Sequence, residues 1–213
     1  TGEALSMNER DWASTQDRTT FVPYISKALS LLREAGIPTL GVTSPWDFGI
    51  EVESEYEYSI SAAVEEVTGS KNAWFFLRGL RDRPNAKPWV AYDDEGRTLV
   101  SIPATAKDYL WATIDTPRTD DELVSQIADK LITADGKSGD VVKVLETGGY
   151  PILISHWQSL MSNGLGTGLR ALDEIARRIN EHYSDRVQWM DFEEMMAIVM
   201  ADKAAFPKPD FDD

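Results

Sequence analysis

The stretch "GGYPILISHWQSLMSNG", residues 148–164, carries the first clue to the fold. Ile152, Leu153 and Ile154, behind Gly-Gly-Tyr-Pro, predict a short buried strand over Tyr150–Ser155. His156 then stands where that strand runs out into a loop, and the chain contains only 2 histidines. In α/β proteins the C-terminal ends of strands are where chemistry is usually assembled. An imidazole gives and takes protons near neutral pH, so His156 is a candidate general acid. The competing reading is a histidine satisfied within the structure.

Working outward, residues 1–16 are polar and without periodicity, which predicts an extended lead-in. Val22, Ile25, Ala28, Leu29 and Leu32 follow helical spacing over 17–35, and Gly36 is a natural stop. "IPTLGVTS" (37–44) reads as a buried strand and "PWDFG" (45–49) as the turn leaving it. A helix is predicted over 55–67, then "NAWFFL" as a strand or buried turn. "PWVAY" and "TLVSI" flank "DDEG" (93–96), a hairpin signal. Helices follow over 119–132 and 138–146. After the strand ending at His156 come a helix over 168–183, a strand "RVQWM", a helix over 191–205 and a frayed tail "FPKPDFDD". Alternating strands and helices predict an α/β fold. A closed eight-stranded barrel takes about 250 residues, so the expectation for these 213 is a partial or distorted (β/α) barrel in one domain, 1–213.

Composition narrows the function classes. A net charge of −15 excludes a nucleic-acid backbone and disfavours an anionic membrane surface. No apolar run approaches the roughly 20 residues that span a bilayer, and no signal-peptide pattern opens the chain. With no cysteine there are no disulfides, zinc thiolates or thiol nucleophiles, and the compartment stays open.

Trp46 and Trp157 each follow a residue at a strand end. Their rings suit the apolar faces of sugars, or else close the core; the other tryptophans read as core or hairpin packing. Asp47 could orient His156, bind substrate hydroxyls or ligate a metal, or simply serve the turn. Asp108 and Asp115 flank "YLWATI" and form a nominal carboxylate pair, the glycosidase alternative, although 36 acidic residues make such proximity common. His182 falls in the last turn of a helix, where imidazolium meets the negative dipole end. "NGLGTG" (163–168) has neither the spacing nor the lysine of a phosphate loop. Ser159 has no base at a motif-like spacing.

"YPILISHWQSL…GTGLRALDEIARRINEHYSDRVQWMDFEEM" resembles the C-terminal part of the polysaccharide deacetylase (NodB-homology, carbohydrate esterase 4-like) family. "REAGIPTLGVTSPWDFG" resembles an earlier motif of that family. His156 then matches the family's late histidine, a general acid, and Pro45 the proline on a loop above the site. Thr43 stands where the family has arginine. The resemblance implies a hydrolase of non-peptide carbon–nitrogen bonds, acting on an N- or O-acetylated carbohydrate. Pro45, Trp46 and Trp157 would line the sugar, and Asp47 would supply steering or charge balance. The family's divalent metal, zinc-like, uses an Asp-Asp pair and an H-x-x-x-H motif upstream of the proline loop. Neither histidine lies there, so the expectation is no metal site in this chain as given, with the segment upstream of Thr1 or lost. The alternative function is a carbohydrate-binding module with a degenerate deacetylase fold.

Overall fold

The computed structural model describes residues 8–45 and 47–211. They form a mixed α/β structure of two compact units. Unit 1 takes the chain up to Arg78, Pro88–Pro103 and the residues from Met190; unit 2 takes Gly79–Lys87 and Ala104–Trp189.

Unit 1 begins with α1 (Glu9–Ala13), so the extended lead-in gives way to a helical turn capped by Asn8. In α2 (Arg18–Glu34) Asp17 caps the N-terminus, and Phe21, Ile25 and Leu29 recur every fourth residue as one buried stripe. β1 (Gly41–Thr43), α3 (Glu53–Thr68) and β2 (Asn72–Phe76) follow, with β1 and β2 parallel. β3 (Trp89–Asp94) and β4 (Arg97–Ser101) form the expected hairpin. Its turn places Glu95 at φ 54° and Gly96 at φ 74°, the left-handed pair that matches strand twist. The sheet order is β1-β2-β4-β3, parallel except for β3. It is an open mixed sheet, not a closed barrel.

Side chains alternate across β2. Ala73 and Phe75 join the core with Phe21, Ile60, Val64 and Leu99. Trp74 turns the other way and meets Phe192 edge-on at 4.9 Å. Phe192 opens α8 (Phe192–Ala201), whose Asp191 and Glu194 form a reciprocal capping box. Helices thus cover both faces of β2.

Unit 2 is mainly helical: α4 (Asp121–Leu131), α5 (Asp140–Glu146), α6 (Trp157–Met161) and α7 (Thr167–Tyr183), with a 3-10 turn at Tyr109–Thr113. Val124, Ile127, Ala128 and Leu131 of α4 share a core with Ala171, Ile175 and Ile179 of α7. Arg178, 2% exposed, is fixed by Glu174, Asp129, Ser125 and the Ile132 carbonyl.

Two predicted strands are not strands. Tyr150–Ser155 runs without a ladder. The Thr105 hydroxyl donates to the Tyr150 carbonyl and accepts from Ile152 N at 2.9 Å, while the Ile152 carbonyl accepts from Thr105 N and Ala106 N. For the Ile152 N–H and the Tyr150 carbonyl, a side chain takes the place of a neighbouring strand's backbone. "RVQWM" also forms no strand; Trp189 is exposed and donates Nε1 to Asn180. The tail through Phe211 is seated on unit 1 rather than frayed. Among the described residues no helix is long and apolar enough to cross a membrane.

Candidate functional site

In unit 2, Ala104–Ala106 and Tyr150–Ile152 are tied together through Thr105 and Ile152. Each segment then leads to a polar residue: Asp108 after the first, His156 after the second. His156 Nδ1 lies 3.0 Å from Asp108 Oδ2, and Ser155 Oγ donates to Asp108 Oδ1 at 3.0 Å. Both carboxylate oxygens are therefore engaged, and the Asp108 side chain is only 8% exposed.

This fixes the histidine's chemistry. A carboxylate only accepts, so Nδ1 carries a proton and donates it to Asp108. Nε2 becomes the working nitrogen, a lone pair when the ring is neutral and a donor when it is charged. The imidazole is 43% exposed, so a reacting group can reach it. Trp111, on the 3-10 turn, sets its ring 4.7 Å from the imidazole at 72° and is half exposed. Trp157, the first residue of α6, is 70% exposed. A buried carboxylate, an oriented imidazole and two accessible indoles occur within one short stretch of structure.

Behind this face α6 and α7 approach closely. Gly168 is required there: a Cβ would lie 2.0 Å from the Ser159 carbonyl. Ser162 Oγ accepts from Gly168 N and donates to Thr113 Oγ1, whose hydroxyl in turn donates to the Ser159 carbonyl. The glycine-rich 163–168 stretch thus serves packing. Ser159 is fully buried, and its hydroxyl has no hydrogen-bond partner among the described residues. His182 closes α7 with Nε2 donating to the Ala134 carbonyl at 2.9 Å.

Of the sequence-predicted site residues, His156 and Trp157 belong to unit 2, whereas Pro45 and Asp47 belong to unit 1. Trp46 lies outside the described residues. The Pro45 carbonyl accepts from Phe48 N at 3.1 Å, and Asp47, at φ 55°, pairs with Arg10 at 3.7 Å. Phe48 anchors this loop by packing on Trp12, Phe21 and Tyr56. Ser44 Oγ lies 2.7 Å from the Tyr56 hydroxyl, whose pKa burial pushes up to about 12. Pro45 also lines an apolar groove of about 480 Å³ beside β1, with Tyr24, Leu32, Ile37 and Val42.

Sequence reasoning missed Asp108 as the partner of His156 and assigned Trp111 to packing. In the sequence Asp108 stood out only as half of a nominal carboxylate pair with Asp115, not as a partner for a histidine. Among the described residues no three of His, Cys, Asp and Glu come together as a metal-ligand set. No family model, curated protein or solved structure matches the chain. The chemistry of the site stands on its own geometry.

Proposed function

We propose that the chain is a carbohydrate-directed hydrolase of the deacetylase type, in which His156 is the proton-transfer residue. The observation that carries this reading is the His156–Asp108 pair: a proton held on Nδ1 leaves Nε2 exposed to exchange a proton with substrate. In hydrolysis of an acetyl group, water adds to the acetyl carbonyl carbon, the bond from that carbon to nitrogen or oxygen breaks, and Nε2–H protonates the departing amine or alkoxide, leaving acetate. Asp108 holds the ring's tautomer and offsets the positive charge of the imidazolium form. Trp111 and Trp157 offer apolar faces for a sugar ring. The partial-barrel reading is supported by three extended segments of unit 2, in which Ala104 bridges Gly79 in parallel and Thr105 and Ala106 bond Ile152.

The test is acetate release from acetylated glycans. His156→Ala lowers turnover by about 10²–10⁴ with an unchanged circular dichroism spectrum. Unchanged release from that variant would reduce His156 to a structural residue. The exposure of both indoles favours one second reading, a carbohydrate-binding module. In that case glycans bind without acetate release, binding survives His156→Ala, and Trp157→Ala abolishes it.

A further inference from the structure

The 3-10 turn Tyr109–Thr113 is tied at both ends to the stretch that carries His156. Asp108, immediately before the turn, holds Ser155 Oγ and His156 Nδ1. At the other end the Thr113 hydroxyl donates to the Ser159 carbonyl at 2.7 Å and accepts from Ser162 Oγ at 2.8 Å. Thr113, Ser159 and Ser162 are all fully buried. One residue on, the Ile114 carbonyl accepts from Asn163 Nδ2 at the surface. Trp111 is the middle residue of the turn, and its ring stands 4.7 Å from the imidazole at 72°. The indole that touches His156 thus belongs to an element fastened at both ends to residues 155–163.

With five residues, α6 is too short to satisfy its own carbonyls, so they need donors from outside the helix. Thr113 supplies one of these and is itself bonded by Ser162. Valine at 113 would keep the branched shape and lose both bonds, so the hydroxyl rather than the volume makes the tie. Asp108 restrains the imidazole through a single hydrogen bond. The ring can still swing about it, because the terminal torsion of histidine is broad. An indole packed against its side narrows that swing.

We propose that Thr113 and Asn163 are positioning residues for His156 and act on it through Trp111. They fix the end of the turn, the turn fixes the indole, and the indole keeps Nε2 facing outward. The effect on turnover rests on the reading of His156 as the proton-transfer residue; the effect on the ring does not.

Imidazole C–H NMR signals of the full chain report the indole through its ring current. The chain has only 2 histidines, and His156→Ala assigns them. Trp111→Ala removes the ring current and sets the full displacement of the His156 signals. Thr113→Val moves them most of that way and Thr113→Ser restores them, while the His182 signals stay in place and mark an intact fold. Asn163→Gly keeps the left-handed backbone, at φ 54°, and cuts the outer tie. It moves the same signals in the same direction, and as a surface change it decides the matter where Thr113→Val does not fold. On acetylated glycan Thr113→Val lowers kcat by about tenfold, and Thr113→Ser stays near the parent. His156 signals at their parent positions in either folded variant overturn the proposal. A parent chain that releases no acetate removes the proposed activity and leaves the NMR result to decide the positioning role, so the two failures are told apart.

Discussion

At His156 the work is divided between two nitrogens, one tied down and one exposed. Asp108 can matter only through the ring it holds. Asp108→Asn keeps the shape but loses the charge that favours imidazolium, so acetate release falls by about 10–10²-fold, less than for His156→Ala. Because the two residues act as a unit, the double variant is no slower than His156→Ala alone. Additive losses would show that Asp108 acts independently. His156 was readable because histidine is rare here and sits at the end of an apolar run. Asp108 was not, since 36 acids populate the chain and nothing in a gap of 48 positions marks one as a partner. Trp111 failed for another reason: its accessibility depends on the 3-10 turn that presents it, and helical or strand periodicity does not foresee such a turn.

Among elements, the longer helices were legible, the short α1 and α6 were not, and two expected strands did not form. Helix reading succeeds where stripe and cap agree, as in α2, with Asp17 before Phe21, Ile25 and Leu29. The apolar run at 152–154 carries a strand's composition, yet a strand also needs a neighbour with matching backbone groups. The Ile152 carbonyl finds backbone N–H groups, but its N–H finds a threonine hydroxyl instead. Thr105 is 2% exposed and bonds the crossing segment as both donor and acceptor. Thr105→Val leaves the Ile152 N–H and the Tyr150 carbonyl without this partner. It should cost about 1–3 kcal/mol of stability, read as a lowered denaturation midpoint, whereas Thr105→Ser keeps most of it. Equal loss in both variants would place the effect in packing rather than in the hydroxyl. The same threonine supports the end of the segment that presents His156, so the valine variant should also lose turnover.

For the molecule as a whole, Glu57 sets a pH dependence. Its carboxyl stands at about 7 in the folded protein against a usual 4.5, chiefly through burial. A raised value means that the folded state holds the proton more tightly than the unfolded chain does. The stabilisation is fully present below about 4.5 and is lost as pH rises through about 7. Glu57→Gln, which has no proton to lose, should therefore gain in melting temperature on the parent chain between about pH 5 and pH 9. A constant difference across that range would show that Glu57 does not titrate there.

The two units are also interleaved along the sequence, with the chain passing between them at 78/79, 87/88, 103/104 and 189/190. This imposes an order on synthesis. When a ribosome has added Trp189, every residue of unit 2 exists, but β2 still lacks the helix that covers its Trp74 face. Until Phe192 and the residues after it emerge, that indole face stays bare. A nascent chain stalled there carries a finished helical unit and a sheet with one side open, the state that a chaperone for exposed aromatic surface would meet.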